Sequence, residues 1–349
     1  MKINNKKMYT FSFILFILTL SIIWVMNTNI LNQSKQVSKA VENPIHKYNF
    51  IYSHPFKKNS YLISTDNGND FKETKLNFSD IFSIQNSQLE EKNLLLFPTH
   101  ENKYYQLDDS GKLNVHNVND PLTFYFKNKL LSIQSLNTTV DNNLLKVIDN
   151  EYNKKYSIEL PSYLDKSTFN KDYIIVITNK INDITSLLHV INRKSGKLQK
   201  SVELTSPAVD LIFYNNQILI TTEKSLSIIS LNDFKVREVK YPLQEIMVDK
   251  IAIHKDKIFI SYGNLVDGSA NLLLLNSKYK VLDDIPLNVP YSASKFRNNK
   301  FYVLSQFELD EDEKFGGQLN EVDLSTLEIE KTINLPKKEI KVQDFEVFN

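Results

Sequence analysis

Residues 144–149 read LLKVID, and after a short polar turn residues 156–161 read YSIELP. The same arrangement returns near the end of the chain, with QLNEVD at residues 318–323 and KTINLP at residues 331–336. Short apolar runs that are broken by Asn, Asp, Lys or Gly every few residues are typical of strands joined by turns. Because no sustained helical periodicity follows residue 45, we predict an all-β domain.

The strand-turn-strand unit recurs seven times when its copies are aligned on the Asp or Asn that begins the turn. These turn anchors are Asp66, Asp108, Asp149, Asn192, Asn232, Asn276 and Asp323, and successive anchors are separated by 40 to 47 residues. Short polar side chains suit this position because they can accept a hydrogen bond from the backbone two residues on. A period of about 40 to 45 residues with four strands per unit is typical of propeller blades.

The two ends of the chain predict how the ring of blades closes. Before Asp66 there is room for only two strands, near residues 48–53 and 61–65, so the first blade lacks its innermost strand. After the seventh blade one apolar run remains, at residues 342–348. An open ring would leave unpaired strand edges. We therefore predict a seven-bladed β-propeller over residues 46–349 that is closed by its C-terminal strand.

The repeats resemble those of the YVTN or quinoprotein-like propellers. The similarity rests on residues 147–149 followed by Ile158, and on residues 190–192 followed by Val202, although the literal YVTN string does not occur. WD-type repeats match less well, because the chain has one Trp and it lies in the N-terminal segment. The resemblance implies a seven-bladed ring and leaves the activity open, since the class includes binding modules, lactonases and quinone-dependent dehydrogenases.

The N-terminal segment predicts a membrane anchor. Lys2, Lys6 and Lys7 precede an uncharged apolar run at residues 8–26, which as a helix matches a hydrocarbon core of about 30 Å. The lysines predict that residues 1–7 are cytoplasmic, with residues 27–45 a flexible stalk and the propeller outside the cell. The alternative is a cleaved signal peptide and a secreted ring.

Composition excludes several classes of function. The chain has 349 residues with 42 basic and 41 acidic side chains, a net charge of +1. Its first 40 residues hold five lysines and no acid, so the remaining residues carry a net charge of +1 − 5 = −4. The domain therefore has no basic stripe that would predict nucleic-acid binding. The absence of Cys excludes disulfides, zinc knuckles and a thiol nucleophile. Only seven glycines are present, without a G-x-G or a Gly-Lys-Ser/Thr string, which excludes a P-loop or a Rossmann turn.

Candidate binding residues lie in the loops between second and third strands, which share one face of a propeller. Four of these loops are long, at residues 136–143, 179–185, 262–271 and 307–317, and long loops on a rigid scaffold often carry function. The candidate residues on this face are His100, Asp183, Tyr262, Asp267, Glu308, Asp310 and Asp312.

No catalytic set and no cofactor are predicted, and the metal is left open. The acidic run at residues 308–313 has alternating carboxylates that suit calcium, but Lys314 follows and no downstream Glu completes an EF-type loop. We therefore prefer a solvated acidic loop, with calcium as the alternative. Residues 64–71 resemble an Asp-box, which we interpret as a structural turn because Arg193, Arg237 and Arg297 should not converge.

Our leading hypothesis is a membrane-anchored, extracytoplasmic propeller that binds or scaffolds a protein or cell-envelope ligand without catalysis. The alternative is an extracytoplasmic enzyme, either a lactonase-like metal-dependent hydrolase or a quinone-dependent dehydrogenase.

Overall fold

The computed structural model describes residues 45–86, 93–98, 103–108, 110–117, 122–128, 130–180, 185–310 and 312–348. Within these ranges the chain folds into 28 strands, arranged as seven antiparallel sheets of four strands each. The predicted seven-bladed all-β propeller is therefore confirmed. The predicted anchor at residues 8–26 and the stalk at residues 27–44 lie outside the described residues. Across the ranges given, no helix is long and apolar enough to cross a bilayer.

Each sheet is one blade, and its strands follow one another along the chain in every blade except the first. Blade 1 contains β1 (Tyr48–Tyr52), β2 (Ser60–Thr65), β3 (Lys72–Leu76) and β28 (Val342–Val347), and blade 2 contains β4 (Ile81–Asn86), β5 (Leu94–Pro98), β6 (Lys103–Leu107) and β7 (Leu113–Asn117). Blade 3 contains β8 (Leu122–Lys127), β9 (Leu131–Leu136), β10 (Asn142–Asp149) and β11 (Lys154–Pro161), and blade 4 contains β12 (Tyr163–Phe169), β13 (Tyr173–Asn179), β14 (Ser186–Asn192) and β15 (Lys197–Leu204).

The remaining blades repeat the same order. Blade 5 contains β16 (Ala208–Tyr214), β17 (Gln217–Thr222), β18 (Ser225–Ser230) and β19 (Val236–Lys240), and blade 6 contains β20 (Ile246–His254), β21 (Lys257–Asn264), β22 (Ser269–Leu275) and β23 (Val281–Pro290). Blade 7 contains β24 (Ala293–Arg297), β25 (Lys300–Gln306), β26 (Gly317–Asp323) and β27 (Ile329–Leu335).

The C-terminal strand closes the ring, as the sequence predicts. β28 pairs antiparallel with β1 and becomes the innermost strand of blade 1, with Phe50 opposite Phe345 and Tyr48 opposite Val347. Both phenylalanines are fully buried, in a core that also contains Tyr302 of blade 7. The last strand therefore contributes a backbone ladder to the first blade and apolar surface to the contact between the first and last blades.

The apolar cores lie between neighbouring blades. One core joins blades 5 and 6 through residues such as Leu219 and Ile260, and another joins blades 1 and 2 through residues such as Ile51 and Leu94. Because both faces of a blade are covered, its middle strands are continuously buried, as in β2 and β13. Burial of apolar area between blades is thus the main force that holds the ring together.

Tight hairpins join the first two strands of several blades. Asn215 and Asn216 both have positive φ, at 46° and 59°, and the equivalent residues of blades 6 and 7, 255–256 and 298–299, do the same. This is the type I′ turn, whose twist suits antiparallel strands and which favours Asn and Asp. The chain enters the ring on this hairpin face, because His46 Nδ1 lies 2.7 Å from Asp66 Oδ2 in the turn after β2. The long loops lie on the opposite face.

Candidate binding site in the central channel

The innermost strands enclose a channel of about 1010 Å³. β8, β12, β16, β20, β24 and β28 contribute lining residues, so the channel runs where the blades meet. Among the described lining residues five are acidic and five are basic, and they are Asp165, Asp210, Asp249, Asp344, Glu346, Lys166, Lys250, Lys295, Arg297 and Lys300. The channel is therefore strongly charged without a net charge.

Strand pairing places one residue from each of these six strands at the same level. In β8, β12, β16, β20 and β24, this residue lies four positions before the residue that makes the last backbone pairing ahead of the turn to the second strand. In β28 it lies four positions before Phe348, whose N–H group bonds to the Lys47 carbonyl beside β1. In order from blade 3 through blade 7 to blade 1, the six residues are Phe124, Lys166, Asp210, Lys250, Ala293 and Asp344. We call this set the channel ring.

β-Bulges deliver the ring residues into the channel. The pairing shifts between Leu164 and Lys166 in β12 and between Ala208 and Asp210 in β16, and comparable shifts occur in β8, β20 and β28. A bulge leaves a residue outside the ladder and re-aims the neighbouring side chains. Without a bulge, successive side chains of an innermost strand would point alternately to the two faces of the blade. With a bulge, a charged side chain can point to the axis of the ring.

Buried hydroxyls on the second strand accept the N–H groups that these bulges remove from the ladder. Thr221 Oγ1 accepts the Asp210 N–H at 3.0 Å, and Ser261 Oγ accepts the Lys250 N–H at 3.0 Å. Ser135 Oγ does the same for Phe124 at 2.9 Å. All three hydroxyl residues are fully buried, where an unpaired N–H would be costly. The hydroxyls thus stabilise the bulges and, through them, the channel ring.

Two groups of charges in the channel are already neutralised by their neighbours. Lys250 Nζ lies 2.7 Å from Asp249 Oδ1, while the Ser294 hydroxyl donates to Asp249 Oδ2 at 2.7 Å and the Tyr291 hydroxyl donates to the same oxygen. Burial alone would raise the pKa of Asp249, but Lys250 and the two hydroxyls outweigh it and lower this pKa. Asp249 is therefore held as a carboxylate.

The second neutralised group joins blades 7 and 1. Lys295 Nζ lies 3.3 Å from Asp344 Oδ2 and 3.2 Å from Glu346 Oε2, and Arg297 Nε donates to Glu346 Oε1 at 3.0 Å. Burial opposes ionisation of Glu346, but Lys295 and Arg297 overcome it and lower the pKa of this carboxyl group. These pairs reinforce the closure of the ring.

Lys166 and Asp210 differ from both groups. Among the described residues Lys166 makes no ion pair, although it lines the channel. Asp210 Oδ2 accepts the Ile251 N–H at 3.0 Å, and within the described part of the chain no side chain donates to this carboxyl group. Burial raises the pKa of Asp210 against the attraction of Lys250 and Lys166. The backbone N–H groups of Ile251 and Leu211 also oppose this increase. In the channel ring, one ammonium and one carboxyl group thus make no ion pair and are available to a ligand.

The loop residues predicted as binding candidates have other contacts. Tyr262 is buried and its hydroxyl donates to Asp284 at 2.5 Å, while Asp267 accepts the Ser269 N–H at 2.9 Å within the loop after β21. The polar contacts of these residues thus stay within blade 6. Hydrogen bonding to Ser269 lowers the pKa of Asp267.

The acidic loop between β25 and β26 is partly neutralised by the link that precedes β28. Glu308 lies 2.7 Å from Lys341, and the Asp310 carbonyl accepts a hydrogen bond from Lys337. Asp312 is exposed. His100 and Asp183 lie outside the described residues. In the described ranges no group of three or more His, Asp or Glu residues is arranged to hold a metal ion.

The seven turn anchors lie between the third and fourth strands of their blades or end the third strand. Asp108, Asn192, Asn276 and Asp323 accept backbone N–H groups of their own turns at 2.7 to 3.1 Å. The other three bond to neighbouring segments instead: Asp66 to Lys47 and His46, Asp149 to Arg193, and Asn232 to Asn216.

The loop pattern of the sequence does not indicate the channel ring. The signal that was available is the recurrence of a charged residue inside an otherwise apolar innermost strand, as at Asp165–Lys166, Asp210 and Asp249–Lys250. Each of these falls four or five residues before the residue that closes the first hairpin of its blade. What the sequence does not indicate is that bulges turn these side chains to the axis.

No protein-family model matches the chain. The chain is similar to the uncharacterized protein YeeG of Bacillus subtilis (strain 168), with 26% identity over 347 residues and 98% of each chain covered. Its fold is similar to that of a protein from Lactobacillus plantarum, with a TM-score of 0.57, 9% identity, and 86% and 99% of the two chains covered. It is also similar to puromycin hydrolase, with a TM-score of 0.57 and 8% identity over 88% of this chain and 55% of that one. At these identities the structural similarities show the propeller fold alone.

Proposed function

We propose that the protein is a non-enzymatic binding module of the cell envelope, held at the outer side of a membrane by residues 8–26. The observation that carries this proposal is the channel ring, where Lys166 and Asp210 make no ion pair with any residue that the structure describes. A ligand would place a polar group in the channel and the rest of its surface against the long-loop face. Within the YVTN-like propellers, in which we place the ring, such a role is an ordinary one.

The long-loop face supports this arrangement because it exposes apolar side chains at the tips of its loops. Phe56 between β1 and β2 is 86% exposed, and Val266 between β21 and β22 is 74% exposed. Leu265 and Val140 add two more exposed tips on this face. Exposed apolar residues that gather on one face favour contact with a partner over solvent. The ring begins at His46 on the hairpin face, which is opposite to the long-loop face. A partner on the long-loop face would therefore not cover the start of the ring.

The binding role is tested by capture of labelled envelope fragments on the full chain in detergent micelles. The double variant Lys166→Met, Lys250→Met removes two channel charges, and we expect it to lower capture by about tenfold or more. The matched control is Lys171→Met, Lys255→Met, which removes two exposed lysines from the hairpin face. Equal capture by the channel variant and the wild type would refute the assignment of the site.

The membrane placement is tested separately by fractionation. We expect the full chain to remain in the membrane pellet after an alkaline wash, because residues 8–26 are long enough to span the bilayer. A chain that lacks residues 1–26 should move to the soluble fraction. If the full chain is released by the wash, or is recovered shortened after export, the anchor is wrong and a cleaved signal replaces it.

A second candidate function is proton-transfer catalysis, which one observation favours. Asp210 is a carboxyl group whose pKa is raised by burial, and general acids need such a shift. Puromycin hydrolase has a similar fold, so hydrolysis of puromycin is the assay that we propose. Turnover of puromycin that disappears in Asp210→Asn would favour this second function over the first.

A further inference from the structure

We infer that the central channel holds the zwitterionic head of an α-amino acid with an apolar side chain, its carboxylate on Lys166 and its ammonium on Asp210. This inference rests on the proposed binding function and names the group that the channel recognises. It follows from which channel charges are already neutralised, which are not, and what lies beside them.

The neutralised charges identify the available ones. Asp249 is engaged by Lys250, Ser294 and Tyr291, and Glu346 is engaged by Lys295 and Arg297. A ligand that bound to any of these groups would have to break an existing pair. In the described part of the channel ring, Lys166 offers an ammonium and Asp210 offers a carboxyl group, and neither of them makes an ion pair.

The two available charges are neighbours of opposite sign. Lys166 on β12 and Asp210 on β16 occupy equivalent positions on adjacent innermost strands, and Cα atoms of these two strands approach within 8 Å. Lys166 is also close enough to Asp210 to favour its ionised form. A small molecule that carries an ammonium and a carboxylate on the same carbon can therefore reach both groups, whereas a simple anion or cation would reach only one of them.

The third feature is the aromatic residue beside Lys166. Phe124 occupies the equivalent position on β8 of blade 3 and lines the channel, while Leu211 and Ile212 line it beyond Asp210. An aromatic ring, an ammonium group and a carboxyl group thus follow one another around the axis. An α-amino acid with an apolar side chain carries a matching group for each of them, namely the side chain, the carboxylate and the ammonium. Its head would bind the two charges and its side chain would lie on the apolar wall.

The test uses L-phenylalanine and two probes that each lack one charge, phenylpropionate and phenylethylamine, in titration calorimetry with the full chain in detergent micelles. Lys166→Met and Asp210→Asn are the test variants, and Asp210→Asn keeps an oxygen that can accept the Ile251 N–H. Lys171→Met and Asp256→Asn, both at exposed hairpin positions, are the matched controls.

We expect each test variant to weaken L-phenylalanine binding by about tenfold or more, while the controls leave it unchanged. Phenylpropionate should respond to Lys166→Met and not to Asp210→Asn, and phenylethylamine should respond in the opposite way. The inference is overturned if L-phenylalanine does not bind at millimolar concentration, or if it binds equally to Asp210→Asn. If envelope capture still depends on Lys166 and Lys250 in that case, the channel remains a binding site and only the ligand class is wrong.

Discussion

Two charge clusters of this propeller contrast sharply, although each contains a basic side chain among carboxylates inside the protein. Arg193, in the turn after β14, donates to Asp149 at 2.8 Å, to Glu151 at 3.0 Å and to the Asn170 carbonyl at 2.7 Å. Every nitrogen of its guanidinium has an acceptor, and its side chain is 4% exposed. In the channel, neither Lys166 nor Asp210 has an ion pair among the described residues.

The difference separates structural charge from charge that is available to a ligand. The Arg193 cluster joins blades 3 and 4, and the faces of the Tyr152 and Phe169 rings lie 5.1 and 5.8 Å from its guanidinium. No donor of Arg193 is left for a ligand, and Asp149 Oδ1, which has no hydrogen-bond partner among the described residues, is fully buried. Lys166 and Asp210 make no ion pair among the described residues, yet they are placed by the same repeat. Charged side chains that add little stability to the fold are candidates for a functional role.

The largest effect is expected from removing residues 342–349. This deletion takes away β28, the innermost strand of blade 1, together with Asp344 and Glu346, the partners of Lys295 and Arg297. Both the backbone ladder and the charge pairs that join blades 7 and 1 are lost. We expect no cooperative melting by circular dichroism. A melting temperature equal to that of the full chain would show that β28 does not close the ring.

The next largest effect is expected from Arg193→Met. The change leaves Asp149, which is fully buried, without its charged partner, and breaking a buried pair in this way costs about 3 to 5 kcal/mol of the free energy of unfolding. Chemical denaturation measures the loss. Arg237→Met is the matched control, because Arg237 lies exposed on the outer strand β19 and should change stability by less than about 0.5 kcal/mol. If the two variants are equally stable, the Arg193 cluster is not structural.

A smaller effect is expected from Thr221→Val, which tests how the channel ring is held. Val keeps the branched shape and removes the hydroxyl that accepts the Asp210 N–H, so that the bulge loses its substitute for a ladder bond. The expected cost is about 1 to 3 kcal/mol. Thr221→Ser keeps the hydroxyl and should lose less. If Thr221→Ser loses as much stability as Thr221→Val, removal of the methyl group costs as much as removal of the hydroxyl. The hydrogen bond to the Asp210 N–H would then have no special role in stability.

The sequence predicts the parts of this molecule that repeat. The period of the turn anchors specifies the blades, and the short N-terminal blade together with the leftover apolar run at residues 342–348 specifies the closure. Both follow from local chemistry, since an Asx residue begins a turn and an apolar run forms a strand. Blade 5 illustrates the result: its sequence predicts strands at residues 209–214, 217–222, 225–231 and 236–241, and β16 to β19 agree with these ranges to within a residue at each end.

The channel ring escaped prediction because it depends on residues that are far apart in the sequence. Asp210 lies in a strand that also packs between blades, as Leu211 and Tyr214 do, and the strand has a bulge between Ala208 and Asp210. Likewise the partner of Lys295 is Asp344, 49 residues further on, and no local pattern joins them. The length of their loops predicts Tyr262 and Glu308 as binding residues. In the structure, Tyr262 donates a hydrogen bond to Asp284, and Glu308 forms an ion pair with Lys341.

We infer that Lys166 and Asp210 serve a ligand and do not stabilise the fold, and the pH dependence of unfolding in Asp210→Asn distinguishes these two roles. The pKa of Asp210 is raised in the folded state, so its contribution to stability is fully present below the ordinary Asp pKa of about 3.9 and is lost as the pH rises through the raised value. Above that window the ionised carboxylate destabilises the folded state. At neutral pH we expect Asp210→Asn to be as stable as the wild type or more stable, and we expect the two proteins to converge in stability as the pH falls. A neutral-pH loss of several kcal/mol, comparable to that of Arg193→Met, would show that Asp210 is structural.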